Sequence, residues 1–145
     1  MKDVRLAINV ASCDGLPCFI VYGESEAELQ RLEAKMSLVA WDEMIAGKMI
    51  YAATQKKEDL SELSGAENSK GYLIVRPDLY GLNGEVIAVI SEPNSAEQLK
   101  SDLLSALDGY NRVSKTHGQH VRSGRQNGFT WETEVEVPKR DRMRR

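Results

Sequence analysis

Two cysteines and two histidines are the residues in this chain whose types could support redox or metal chemistry. Cys13 and Cys18 are separated by four residues, and the intervening turn contains Gly15 and Pro17. If the segments on either side of this turn paired as a hairpin, the two sulfurs could approach each other. One hypothesis is therefore a thiol oxidoreductase or redox-responsive protein that uses Cys13 and Cys18.

The commoner interpretation gives these thiols no chemical role. The spacing C-x4-C is neither a dithiol motif nor a zinc-ligand spacing, and a cysteine that opens an apolar strand behaves as a small hydrophobic residue. A Cys2His2 cluster would also require His117 and His120, whose separation from the cysteines differs from that of a zinc finger. We expect no metal and no cofactor, and two cysteines in 145 residues fit a reducing compartment.

A serine and two glutamates, Ser25, Glu26 and Glu28, form a second candidate group for acid–base chemistry. Their spacing is that of a capping box, in which the serine side chain accepts a backbone hydrogen bond and the glutamate at the third helical position reaches back. No cysteine or histidine lies nearby in sequence to act as a nucleophile. Helix capping explains the group fully.

The charge of the chain is unevenly distributed. Residues 1–111 carry 10 Lys and Arg against 18 Asp and Glu, a net charge of −8, whereas residues 112–145 carry 9 against 4, a net charge of +5. An acidic body repels polyanions. No apolar run approaches the roughly 18 residues of a membrane span, and the N-terminal residues do not form a signal-peptide pattern. We expect a cytoplasmic protein with no membrane partner.

Short apolar runs alternate with helix-like patterns along most of the chain. Two runs, 72–75 and 86–90, flank a turn-rich connection and predict a β-hairpin. Because both runs are apolar at nearly every position, we expect helices on both faces of the sheet. The complete set of predicted strands is 5–11, 18–22, 49–53, 72–75 and 86–90, and the predicted helices are 25–46, 54–63 and 95–110. The order is β-β-α-β-α-β-β-α, an α/β fold.

This order resembles the thioredoxin fold with a shortened opening, over about residues 5–110. Three segments are similar to the third strand, short helix and fourth strand of thioredoxins: Ile50-Tyr-Ala-Ala-Thr-Gln55, Glu58-Asp-Leu-Ser-Glu-Leu63 and Gly71-Tyr-Leu-Ile-Val75. The resemblance implies a mixed sheet with helices on both faces. We divide the chain into a thioredoxin-like domain, 1–111, and a flexible basic tail, 112–145, with a short amphipathic strand at 129–137.

Both functional features of thioredoxins are missing from this sequence. In that family a C-x-x-C pair follows the second strand at the start of the long helix, where the thiol pKa is lowered. Here that place holds Tyr22-Gly-Glu-Ser-Glu-Ala-Glu28. The family also has a cis-proline before its fourth strand, where this chain has Leu73. The comparison implies a redox-inactive member with no catalytic residues.

The segment Arg76-Pro-Asp-Leu-Tyr80 resembles the connection in the C-terminal thioredoxin-like domains of aromatic-ring flavin hydroxylases. Those domains are non-redox appendages that take part in subunit contacts. The connection in this chain is longer, and no flavin-binding portion is present. The similarity therefore implies a structural role.

The C-terminal region suggests where the chain could contact a partner. Phe129, Trp131, Val135 and Val137 lie in a segment that alternates with Thr130, Glu132, Glu134 and Glu136, as in a half-buried strand. Such a segment could add to the sheet edge of a protein partner or of a second copy. We therefore expect a protein-interaction or structural module rather than an enzyme. Nucleic-acid binding through the basic residues of the tail is a further alternative.

Overall fold

A hairpin of two apolar strands lies inside the sheet, as the sequence predicts. In this computed structural model, which describes residues 1–112 and 115–128, β4 (Gly71–Pro77) pairs antiparallel with β5 (Gly84–Ile90). The remaining strands are β1 (Cys18–Tyr22), β2 (Ile50–Thr54) and the short β3 (Leu63–Ser64). The helices are α1 (Val4–Asp14), α2 (Glu26–Ser37), α3 (Ala96–Asp108) and α4 (His117–Gln126), with a 3₁₀ turn at Lys57–Leu60.

The five strands form one mixed sheet in the order β2-β1-β4-β5-β3. Strand β1 is parallel to β2, with Cys18 opposite Ile50, and antiparallel to β4, with Cys18 opposite Val75. Strand β3 is parallel to β5 over two residue pairs, starting with Leu63 opposite Gly84. The chain is thus a mixed α/β protein in which helix α2 connects the parallel strands β1 and β2.

Helices cover both faces of the sheet, and two separate cores result. Along β1, Cys18, Ile20 and Tyr22 pack into the core under α1, whereas Phe19 and Val21 pack into the core under α2 and α3. This alternation follows from the two-residue period of a strand. The prediction that the central strands are covered on both sides is confirmed.

The predicted strand at residues 5–11 is wrong, because this segment belongs to α1. Its buried apolar residues, Val4, Ala7, Ile8 and Ala11, follow the three- and four-residue spacing of a helix. The Asp3 side chain accepts a hydrogen bond from the Leu6 amide at 2.9 Å, and so caps the first turn. The observed order is therefore α-β-α-β-β-β-β-α-α instead of β-β-α-β-α-β-β-α.

Three further segments differ from the sequence-based expectation. The predicted helix 54–63 is reduced to the 3₁₀ turn at Lys57–Leu60, and Leu63 begins β3. Helix α2 ends at Ser37 instead of continuing to Ala46, and a series of turns joins it to β2. Helix α4 lies within the region 112–128, whose polar composition predicted a flexible linker. Its first turn has a capping box between Thr116 and Gln119, so local hydrogen bonds support a helix that has few apolar residues.

Candidate functional site

The start of α2 occupies the place where the thioredoxin resemblance would put a redox pair. The Ser25 side chain accepts a hydrogen bond from the Glu28 amide at 3.2 Å, and the Glu28 carboxylate accepts one from the Glu24 amide at 2.9 Å. Glu26 lies in the same first turn. These carboxylates stabilise the positive end of the helix dipole. The three residues considered for acid–base chemistry therefore act as helix caps and first-turn charges.

The two cysteines are free thiols in different elements. Cys13 is half-buried in the last turn of α1, and Cys18 is buried at the start of β1. Burial raises the pKa of the Cys18 thiol to about 12. Burial and the neighbouring Asp14 raise the pKa of Cys13, although Lys115 acts in the opposite direction. Because Cys13 lies on a helix, the two-strand hairpin invoked to bring the sulfurs together is not formed.

We expect both thiols to react slowly with a mild alkylating agent at pH 7. With a pKa of about 12, only about one Cys18 thiol in 100,000 is a thiolate at neutral pH, and its burial excludes the reagent. Cys18 should be labelled only after denaturation, and Cys13 should react more slowly than a free cysteine. Mass spectrometry of quenched time points provides the measurement, with the denatured chain as the control. Rapid labelling of either native thiol, or a reversible Cys13–Cys18 cross-link, would instead support the oxidoreductase hypothesis.

An open groove of about 650 Å³ lies where the end of α1 meets the start of α4. The Cys13 sulfur, an Asp14 carboxylate oxygen and a His117 ring nitrogen lie within 4.8 Å of one another at this groove. His117 Nε2 and Asp14 Oδ1 are 3.8 Å apart. Arg112 and Lys115 also line the groove. The packing of α4 against α1 thus brings together a sulfur, an oxygen and a nitrogen donor, with two cationic side chains from the residues that precede α4.

Polar contacts hold α4 and the segment before it against α1. The Lys115 ammonium donates to Ser12 Oγ at 2.5 Å and to the Leu79 carbonyl. The Arg112 guanidinium donates to the Asp14 carbonyl at 2.6 Å. Lys115 is thereby fixed two residues before His117, the first residue of α4, and so these contacts place His117 next to Asp14.

His120, the second histidine of the sequence-based cluster, is buried and lies apart from the grouped donor atoms. Only 6% of its surface is exposed, and its Nδ1 is without a hydrogen-bond partner among the described residues. Burial lowers its pKa, as do electrostatic interactions with Lys115 and His117, while Asp78 and Asp14 oppose this shift. The fold therefore does not assemble a cluster from all four of the residues Cys13, Cys18, His117 and His120.

The Arg76–Tyr80 segment, which runs from the end of β4 into its connection to β5, has a structural explanation. The Asp78 carboxylate accepts hydrogen bonds from the amides of Tyr80 and Leu82, each at 3.0 Å, which closes the turn. Ser12 of α1 donates to the Asp78 carbonyl at 2.8 Å. The segment thus joins the hairpin to α1.

An exposed apolar surface lies on the connection between α2 and β2. Its members, Leu38, Trp41 and Met44, are 74%, 88% and 49% exposed, and we call them the Trp41 surface. They recur every third residue, whereas Met36, Val39 and Ile45, which are separated by three and six residues, are buried. A period of three is that of consecutive tight turns. One side of the connection therefore packs on the core, and the other presents large apolar side chains to solvent.

Contacts with α3 fix this connection. The Asp42 carboxylate accepts from the Lys100 ammonium at 2.5 Å and from the Met44 amide at 3.0 Å. These hydrogen bonds, the one from Lys100 being the stronger cause, lower the pKa of Asp42. Met44 also lines a shallow groove with Leu104 and Leu107 of α3. The Trp41 surface is thus continuous with a groove beside a helix.

Sequence analysis missed the Trp41 surface because it placed residues 25–46 in one helix. In such a helix Trp41 would lie on the face opposite the apolar stripe, among polar residues. The predicted interaction residues Phe129, Trp131, Val135 and Val137, and the strand at 129–137, lie outside the described residues and stay predictions. The same holds for most of the basic residues on which the nucleic-acid alternative depends.

Comparisons with protein-family models, curated proteins and solved structures found no match to this chain. Across residues 1–112 and 115–128, no helix has the length and apolar character needed to cross a membrane. The contacts described above are accordingly the basis for assigning a role.

Proposed function

We propose that this chain is a redox-inactive, thioredoxin-like protein-interaction module that associates with a second copy of itself through the Trp41 surface. The observation that carries the proposal is the 88% exposure of Trp41 in a connection whose opposite side is packed on the core. Tryptophan is among the residues most often responsible for binding energy in protein interfaces. An exposed tryptophan on a connection whose other side packs on the core is therefore a good anchor for a partner.

The strand arrangement supports the thioredoxin-like part of the proposal. Strands β1 and β2 are parallel and joined by α2, and the antiparallel pair β4–β5 is followed by α3, with β4 next to β1 in the sheet. A strand–helix–strand half joined to a strand–strand–helix half is the plan that the sequence resemblance implies. The capped, cysteine-free start of α2 supports the absence of redox chemistry.

The exposed apolar side chains of the Trp41 surface support binding to another protein. Removing a large apolar side chain from water stabilises a complex by about 1.5–3 kcal/mol, and Leu38, Trp41 and Met44 each leave about half or more of their surface in solvent. The groove beside Met44, lined by Leu104 and Leu107, extends the apolar area toward α3. Large apolar side chains that are exposed near one another on a protein surface commonly mark an interaction site.

Charge complementarity favours a second copy as the partner. Residues 1–111 carry a net charge of −8 and residues 112–145 a net charge of +5. In a pair of chains, the basic region of each copy can approach the acidic body of the other, which accelerates and orients association. The apolar anchor then supplies the affinity.

The test is the concentration dependence of the sedimentation coefficient. We expect the wild-type chain to form dimers. Trp41→Ala should raise the dimer dissociation constant by about 30-fold, which is the effect of losing a hot-spot residue that contributes about 2 kcal/mol. Leu38→Ala should raise the dissociation constant by a smaller factor. The matched control is Leu79→Ala, because Leu79 is 48% exposed and lies on the β4–β5 connection, which is hydrogen-bonded to α1. Equal dissociation constants for Trp41→Ala and Leu79→Ala, or a wild-type chain that is monomeric at every concentration, would refute the proposal.

A shortened chain ending at Gly128 separates the contribution of the C-terminal residues. If Phe129, Trp131, Val135 and Val137 contact the partner as the sequence predicts, this chain should also dimerise less tightly. If it dimerises like the wild type, the Trp41 surface is sufficient and the predicted strand at 129–137 serves another purpose.

A further inference from the structure

The groove between α1 and α4 holds three different metal-binding donor types at ligand-like separations. The sulfur of Cys13, a carboxylate oxygen of Asp14 and a ring nitrogen of His117 all lie within 4.8 Å of one another. In a tetrahedral site with metal–ligand distances of 2.0–2.3 Å, neighbouring donor atoms are roughly 3.4 Å apart. The 3.8 Å between His117 Nε2 and Asp14 Oδ1 is close to that value. Small side-chain rotations would complete the geometry.

The donors come from elements that local interactions already fix. Gly15 ends α1 directly after Cys13 and Asp14, and its amide donates to the carbonyls of Ala11 and Ser12. At the other side, the Thr116 capping box sets the first turn of α4 and therefore the position of His117. A site formed from preordered helix ends loses little conformational entropy when it binds an ion.

We propose that Cys13, Asp14 and His117 bind a divalent transition-metal ion, with Zn²⁺ as the best fit. A thiolate and an imidazole select zinc-like ions over Ca²⁺ and Mg²⁺, which prefer sites built from oxygen ligands alone. Three protein ligands leave the fourth tetrahedral position open, which is the arrangement of zinc sites that accept water or a substrate.

The surroundings of the donors favour an open fourth position over a closed structural site. Cys13 and Asp14 are half-buried, while His117 is exposed at the rim of the 650 Å³ groove. With a thiolate and a carboxylate as ligands, the charge of a divalent ion is balanced. Arg112 and Lys115 on the groove then favour a negatively charged fourth ligand, either hydroxide or a small anion such as phosphate or a carboxylate.

This site was not apparent in the sequence because its spacing is not that of a known motif. Cys13 and Asp14 are adjacent, and His117 follows more than a hundred residues later. The packing of α4 against α1 brings them together. The sequence-based cluster included Cys18 and His120, neither of which belongs to the donor group, and it lacked Asp14.

Calorimetric titration of the full, reduced chain with ZnCl₂ tests the proposal. We expect one ion per chain. His117→Ala, Cys13→Ala and Asp14→Asn should each weaken binding by at least about 100-fold, since even residues one shell beyond the ligands contribute about 10- to 100-fold. Titration with Co²⁺ should produce a thiolate-to-cobalt charge-transfer band that Cys13→Ala abolishes. Zinc should also raise the melting temperature of the wild type.

Matched controls separate ligand loss from unfolding and from nonspecific binding. Cys18→Ala removes the other thiol, and Asp108→Asn removes an exposed carboxylate at the end of α3; both variants should bind zinc as tightly as the wild type and keep the cobalt band. Circular dichroism melts of all variants without metal verify folding. Zinc binding that survives the His117→Ala and Cys13→Ala substitutions, or a charge-transfer band that depends on Cys18, would overturn the assignment.

Discussion

Gly71→Ala is expected to destabilise the fold by about 3 kcal/mol or more, because a left-handed backbone and a close backbone contact coincide there. Gly71 is the first residue of β4 and has a φ of 93°, a backbone conformation that is unfavourable for residues other than glycine. An added Cβ would lie 2.5 Å from the Ser91 carbonyl oxygen and 2.6 Å from that of Ile90. Even the closest favourable C–H···O contacts are about 3.3 Å. The start of β4 and the end of β5 would have to separate.

Gly47→Ala is the control, because it isolates the cost of the backbone conformation. Gly47 has a φ of 73°, and an added Cβ would have no atom within 4 Å. This change should cost about 1–2 kcal/mol. In thermal unfolding, the melting temperature should fall by about 10 °C for Gly71→Ala and by roughly a third to half of that for Gly47→Ala. If the two variants melt at the same temperature, the close approach of the chain to Gly71 does not exist.

The elements predicted correctly are those whose signals are local. The apolar runs of β4 and β5, the cap at Ser25 and the start of the predicted helix 95–110 are visible in stretches of a few residues, and each is found within a few positions of its predicted place. The coverage of the sheet on both sides also followed from the runs themselves. A strand that is apolar at every position must be packed on both faces.

The error at α1 shows where periodicity alone is ambiguous. Leu6, Ile8 and Val10 fit the two-residue period of a strand, but Val4, Ala7, Ile8 and Ala11 fit a helix equally well. The stretch also contains two buried polar residues, Asn9 and Ser12. Their burial is possible because their side chains donate hydrogen bonds to the carbonyls of Tyr80 and Asp78. The Asp3 cap and Gly15, which together delimit the helix, were the signals that could have decided between the two.

Neither candidate site could be found from sequence, because each depends on where a helix ends or docks. The Trp41 surface exists because α2 stops at Ser37, after which the chain turns every three residues. The proposed metal site exists because the Lys115 and Arg112 hydrogen bonds hold the start of α4 against α1. Such long-range contacts leave no periodic signal in the chain.

Tyr72→Ala is the second substitution with a large expected effect, about 3–5 kcal/mol of stability. Tyr72 is fully buried in the core under α2 and α3, and its ring stacks on Phe19 with a centroid distance of 5.6 Å. Its hydroxyl donates to the Leu32 carbonyl of α2 at 2.8 Å. Removal of this side chain leaves a cavity where the sheet meets α2, and it also removes the hydrogen bond to the Leu32 carbonyl. Urea unfolding followed by circular dichroism measures the loss.

Tyr72→Phe divides this effect into packing and hydrogen bonding, and it adds a pH test. It keeps the ring and should cost only about 1 kcal/mol at neutral pH. Burial raises the pKa of Tyr72 to about 12, from an ordinary value of 10. The neutral phenol is thus favoured in the folded state, so its contribution is complete below pH 10 and is lost as the pH rises toward 12. The stability difference between wild type and Tyr72→Phe should therefore shrink above pH 10. A difference that stays constant to pH 12 would mean that the hydroxyl is not buried against α2.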